Sequence, residues 1–300
     1  MKIVLNGGTG FIGGRLIDEL LSEHHDVVLL TRRKRSEIAA AVQQEEWDGK
    51  TIGTWSREVD GADALINLSG ESLAARRWTH AQKERIISSR LNATRAVIEA
   101  LRRASRKPSV LISASAIGYY GDVPEGIVTE DRPHGSGFLA ETCTLWEAEA
   151  LKAEEIGIRV ARMRMGVILG KDGGALERMV LPFRLFVGGR LGSGRQWFSW
   201  IHLDDVVGAI LYILNTSTLN GPINTTAPEP VTMNQFCLAL GNVLARPSWI
   251  PVPEFLLRLA VGEMSGMVLS GQRVVPQKLL EQGFKFKHSS VLEALESILV

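Results

Sequence analysis

The feature that most limits what this chain can fold into stands at its start. Lys2-Ile3-Val4-Leu5-Asn6 runs straight into Gly7-Gly8-Thr9-Gly10-Phe11-Ile12-Gly13. A short apolar run that ends in glycines reads as a buried strand. The residues that follow, Phe11 to Glu23, carry Ile12, Leu16, Leu20 and Leu21 at helical spacing. The glycines therefore sit in a strand-turn-helix. The first permits a tight turn, the middle one lets a pyrophosphate approach the backbone, and the last lets helix pack on strand. Unpaired N–H groups at the helix start, around Phe11 and Ile12, then face an anion.

Strand-like and helix-like segments keep alternating to about residue 215. Val27–Leu30, Ala64–Leu68, Val110–Ile112 and Arg159–Met165 read as further strands. Thr79 opens the clearest helix, with Gln82 placed for a capping box and Ile87, Leu91, Thr94, Ile98 and Leu101 on one face. This pattern predicts an α/β fold: a doubly wound parallel sheet of the Rossmann type with helices on both faces. Past residue 185 the pattern loosens. Residues 1–185 are expected to form the dinucleotide-binding domain, to which some later segments return. Residues 186–300 are expected to form a smaller mixed lobe. In that lobe Asp204 or Asp205 is expected to cap a helix through Leu214, and Thr232/Gln235 and Ser290/Glu293 to form capping boxes.

The second strand decides which dinucleotide is expected. An acid at its end would hold a ribose 2′-hydroxyl. Here the strand ends Leu30-Thr31-Arg32-Arg33-Lys34-Arg35, and Asp26 lies at the opposite end. A cation there suits a 2′-phosphate, so NADP(H) is the expected cofactor.

Other chemistries fit less well. Gly166 to Asp172 is one residue short of a P-loop and lacks its Ser/Thr. No G-x-S-x-G elbow occurs. Cys143 and Cys237 form no CxxC, and His202-Leu203-Asp204-Asp205 reads as a helix start, so no metal site is expected. A net charge of +1 argues against a nucleic-acid or membrane partner. With no signal-like or ~18-residue apolar stretch, the expected home is the cytoplasm.

In order along the chain, the glycine turn, Asn67-Leu68-Ser69-Gly70, Ser113-Ala114-Ser115 with Tyr119-Tyr120-Gly121, and Trp200 to Asp205 resemble the extended short-chain dehydrogenase/reductase superfamily. Three more stretches resemble its atypical "epimerase family" branch. They are Leu68–Glu71 with Arg77-Trp78-Thr79 and Ser89-Arg90, Leu181–Arg184 with Gly192–Gly194, and the tail from Gly262 to Phe284. The tail is similar to the C-terminal domain of unknown function found in that branch.

The resemblance implies NADP(H) held by Gly7, Gly10, Phe11, Ile12, Gly13, Thr31, Arg32, Leu68, Ser69, Glu84, Arg90 and Ile168. It also implies a Tyr-x-x-x-Lys pair that this chain lacks. The three tyrosines, Tyr119, Tyr120 and Tyr212, are followed four residues on by Val123, Pro124 and Thr216. Matching Glu147 to the acid that usually follows the pair puts Leu139 and Cys143 in its place. Ser115, Tyr119 and Cys143 remain as candidate catalytic groups. Two functions are then open: an NADP(H)-dependent oxidoreductase or sugar-nucleotide-type epimerase with a substituted acid, or a catalytically silent NADP(H)-binding sensor. Arg184, Arg190, Arg195 and Trp197 around Gly188–Gly194 suggest a loop closing on an anionic or sugar-like small molecule. Related folds pair as homodimers through helices, and the same is expected here.

Overall fold

A computed structural model describes residues 1–171 and 173–300; Asp172, the end of the near-P-loop run, lies outside them. The strands are β1 (Lys2–Asn6), β2 (Asp26–Thr31), β3 (Gln43–Glu46), β4 (Ala64–Asn67), β5 (Val110–Ala116), β6 (Val123–Val128) and β7 (Arg159–Met165). After them come β8 (Val167–Leu169), β9 (Trp197–Phe198), β10 (Trp200–His202), β11 (Gly221–Thr225), β12 (Val231–Thr232) and β13 (Gln272–Val274). The helices are α1 (Phe11–Ser22), α2 (His80–Arg103), α3 (Phe138–Leu151), α4 (Leu176–Arg184) and α5 (Leu203–Asn215). After them come α6 (Met233–Val243), α7 (Glu254–Val261), α8 (Gly266–Leu269), α9 (Gln277–Glu281) and α10 (Val291–Leu299).

Seven strands form one parallel sheet in the order β11-β7-β5-β4-β1-β2-β3. Strand order reverses between β1 and β4, and in such sheets ligands bind at that crevice. Alternate residues of each strand feed opposite cores. Ile3, Leu5, Leu29, Ile66, Ile112 and Met163 meet Leu16 and Leu20 of α1 and Ile210 and Ile213 of α5. Val4, Val28, Leu65, Leu111 and Val160 meet Ala93, Val97 and Leu101 of α2. A third core, with Trp200, Phe183, Phe236, Leu240 and Leu295, belongs to the smaller lobe.

The expected strands are all present. Two sheet strands carry no apolar run and were not expected: β3, sequence QQEE, and β11, sequence GPINT. Two caps also differ from expectation. His202, not Asp204 or Asp205, caps α5, its Nδ1 accepting the Asp204 N–H at 3.0 Å. Ser290 makes no cap bond to α10. Thr232 and Gln235 do close the capping box at α6. Among the described residues, no helix is long and apolar enough to cross a membrane.

Candidate cofactor and active site

At the reversal point the fully buried Asn6 side chain ties two strand ends together. Its Oδ1 accepts the N–H groups of Leu68 at 3.0 Å and Ser69 at 3.1 Å. Gly7 has φ +75°, and a Cβ there would stand 2.6 Å from the Leu68 carbonyl carbon. A Cβ on Gly13 would fall 2.4 Å from the Gly7 oxygen. Both glycines are therefore demanded by backbone packing, one against β4 and one within the turn. Gly10 is exposed and caps α1 without any side-chain bond, which leaves the first-turn N–H groups at Phe11 and Ile12 for an outside acceptor. The Phe11 ring packs against Gly170, Gly173 and Gly174. Among the described residues the buried Asn6 Nδ2 has no partner. An uncapped helix start, a bare backbone turn and an orphaned buried donor at one crevice fit a dinucleotide pyrophosphate.

The end of β2 keeps the predicted character. Thr31 is buried, and its hydroxyl donates to the Arg33 carbonyl at 2.9 Å. Arg32 is exposed, with no ion pair among the described residues. Leu68 and Ser69 are half-buried at the crevice, and Ile168 lies opposite Ile201 in the β8–β10 pair.

Arg90 reaches the same edge from α2. Its Nη1 donates to the carbonyls of Glu71 at 3.1 Å and Ile86 at 3.0 Å, and its guanidinium lies 5.1 Å from the Trp146 ring centroid. Burial lowers its pKa, partly offset by Cys143 and Glu71. Glu84 lies on the exposed side of α2, beside His80 at 3.5 Å, and among the described residues no hydrogen bond brings it to the glycine turn.

On α3, Leu139, Cys143 and Glu147 follow one another at spacing four, on a single face. That face meets β5 and the turn after it. Leu139 packs beside Gly118, and Cys143 lies against Ser115 and the backbone of Ala116. The positions of the missing Tyr and Lys thus do point at the end of β5, filled by a leucine and a thiol.

Ser115 and Cys143, two of the three candidate catalytic groups, are both buried at this end of β5. Ser115 is 2% exposed and donates to Glu147 Oε1 at 2.7 Å. Glu147 also accepts two bonds from Arg164, at 2.8 and 2.9 Å, and one from Arg162 at 3.0 Å. Cys143 is buried, and burial, reinforced by the Glu147 carboxylate, pushes its thiol up to about 11.

Of the nearby tyrosines, Tyr120 is spent. Its hydroxyl donates to Asn224 at 2.6 Å and accepts from Arg164 at 2.9 Å, and burial pushes it up to about 12. Tyr119 is half-buried with its ring 3.5 Å from the Arg164 guanidinium. Its hydroxyl has no partner among the described residues.

The loop between the lobes holds Gly192 and Gly194 at positive φ, with Arg190 and Arg195 exposed around them. Arg273, in the tail and not singled out as a site residue from the sequence, stacks 4.9 Å from the Trp197 ring. Elsewhere, His202, Asp204 and His288 lie within reach of one another. His202 Nδ1 is already taken by the α5 cap, and Asp204 binds Arg15 Nε at 2.9 Å.

These features are those of a nucleotide-binding α/β fold with its crevice at β1/β4, and the chain belongs to the NAD dependent epimerase/dehydratase family, whose profile matches residues 3–224. A domain of unknown function, DUF1731, matches residues 252–298. The chain is 43% identical to the epimerase family protein SDR39U1 homolog, chloroplastic, of Arabidopsis thaliana, covering 100% of this chain and 87% of that protein. It is 41% identical to epimerase family protein YfhF of Bacillus subtilis, covering 100% and 98%. Among solved structures it is similar to human epimerase family protein SDR39U1 with NADPH, with TM-score 0.89, 31% identity and 99% of each chain covered. UDP-glucuronic acid 4-epimerase of Bacillus cereus, at 17% identity and TM-score 0.80 over 99% and 97%, shares the fold.

Proposed function

We propose that this chain binds NADP(H) and works as an oxidoreductase of the extended short-chain dehydrogenase/reductase type on a small anionic or sugar-like molecule. The observation that carries the cofactor is the pairing of the bare glycine turn with an unpaired Arg32 at the end of β2, where no acid stands. The human relative solved with NADPH supports the same choice. The bound nicotinamide would supply or accept hydride. The chain's residues bind and orient it: the first turn of α1 at the pyrophosphate, Thr31 and Arg32 at the adenosine phosphate, and Arg90 near the place where a lysine is missing. Tyr119 is the protein hydroxyl left to serve a proton.

A second reading, a cofactor-binding sensor without turnover, is favoured by one observation: Ser115 and Cys143 are both buried and committed. Losing acid–base help costs about 10²–10⁴ in rate, which slows a reductase without abolishing it.

One experiment separates the readings. Purified protein with NADPH or NADP⁺ is incubated with a metabolite extract, and nicotinamide redox state is followed beside mass spectrometry. A metabolite that changes only with intact protein supports the oxidoreductase. Tight NADPH binding without any change supports the sensor. Arg32→Ala serves as control. Loss of a charge-assisted contact of roughly 1.5–3 kcal/mol should weaken NADPH about 10- to 150-fold and leave NADH nearly unchanged. Equal losses for both cofactors would remove the phosphate role.

A further inference from the structure

We propose that residues 253–270, the opening of the matched domain of unknown function, form a strap over the cleft that swings aside to admit cofactor and substrate. The proposal rests on the cofactor reading above.

Both ends of this stretch are anchored in the smaller lobe and the β6 region. At one end Val252 N–H donates to the Arg190 carbonyl and its own carbonyl accepts from Gly192, both at 2.9 Å. At the other, Gln196 Nε2 donates to the Val268 carbonyl at 2.7 Å, Gly271 N–H donates to Asp122 at 3.0 Å, and Val123 N–H donates to the Gly271 carbonyl at 3.1 Å. The middle crosses to the segment between β4 and α2 and to the first turn of α2. There Arg77 Nη2 donates to the Leu259 carbonyl at 3.0 Å, and Lys83 pairs with Glu263. That segment also carries Glu71, whose carbonyl Arg90 binds.

Apart from Ser265, which is buried, the middle is held by little else. No residue of α7 is buried, and Phe255 and Leu259 are 67% and 74% exposed. A helix apolar on most sides is normally buried, so α7 in this position is only lightly seated. Gly262, at φ +64°, and Gly266, with open space at its Cβ, flank the turn that follows α7 and supply hinges. Segments with few buried contacts open at low free-energy cost, independently of global unfolding.

Two measurements test the strap. Trypsin cleavage after Arg258, timed on the folded full chain, should run about tenfold faster in an Arg77→Ala/Lys83→Ala variant at unchanged Tm. Equal rates overturn the proposal. In the second, a Lys83→Cys/Glu263→Cys variant is loaded with NADPH and then bridged by a short bis-maleimide. The native thiols Cys143 and Cys237 are buried and do not compete. Bridging should slow NADPH release, read by its fluorescence, about tenfold or more against either single-cysteine control. Unchanged release overturns the proposal. Should the wild type fail to bind NADPH in an equilibrium titration, the cofactor reading falls, and the trypsin comparison still decides the strap.

Discussion

At the scale of single residues, the site is organised around Glu147. Its carboxylate holds the Ser115 hydroxyl and two arginines inside the protein. Removing one partner of a buried ion pair leaves the other charge uncompensated, so Glu147→Gln should lower unfolding free energy by roughly 3–5 kcal/mol in urea denaturation. The spacing of Leu139, Cys143 and Glu147 was legible in the sequence, but the orientation of this face was not. Ser113 and Ser115 are the same residue type on one face of β5, so nothing in the letters says that Ser115 is the one bonded to Glu147 of α3. His202 supports a second prediction. Burial and the neighbouring His288 lower its pKa to about 4, against weaker opposition from Asp204, with Lys287 and Arg15 also lowering it. The unfolded chain therefore takes up this proton first as pH falls. The stability from neutral His202 is complete above about pH 6.5 and is lost on descent toward pH 4, to roughly 3 kcal/mol at most. His202→Asn, which keeps a capping group, should remove that part of the slope when stabilities are compared across this range.

At the scale of elements, side-chain patterns predicted well wherever burial wrote them. Five strands of the central sheet announce themselves as apolar runs. β3 does not, because an edge strand with a wet face can be built of Gln and Glu. β11 does not, because Gly221 and Pro222 open it and its buried part holds Asn224 and Thr225. The caps show the same limit. Thr232-x-x-Gln235 and Ser290-x-x-Glu293 look alike in sequence, yet only the first makes its bonds. Thr232→Ala should cost about 1 kcal/mol, whereas Ser290→Ala should stay within about 0.5 kcal/mol; thermal unfolding of both variants checks the contrast. The need for glycine at Gly7 and Gly13 was legible because its reasons are steric. Gly7→Ala combines a left-handed backbone with overlap against Leu68, so a loss of roughly 3 kcal/mol or more is expected in the same assay.

At the scale of the whole molecule, the two expected lobes are interwoven. α5 packs on the sheet core, and β11, from residues 221–225, pairs with β7. β13 pairs with β6, and the buried carboxylate of Glu130 accepts N–H groups from Asn224 and Lys278. A cut at residue 185 would therefore leave the sheet without its last strand, and a fragment 1–185 should melt well below the full chain or fail to melt cooperatively. The return of later segments was expected from the sequence, but not which strand returns, since β11 is polar. The interweaving matters during synthesis. When the first 185 residues leave the ribosome, β7 stands as an open parallel edge, and a further 40 residues must emerge before Thr225 can close it. At translation speeds of about 5–20 residues per second, that edge waits for roughly 2–8 seconds, time in which an unpaired edge can recruit a neighbouring nascent chain. The smaller lobe is thus a timed debt in the birth of the protein as well as a wall of its cleft.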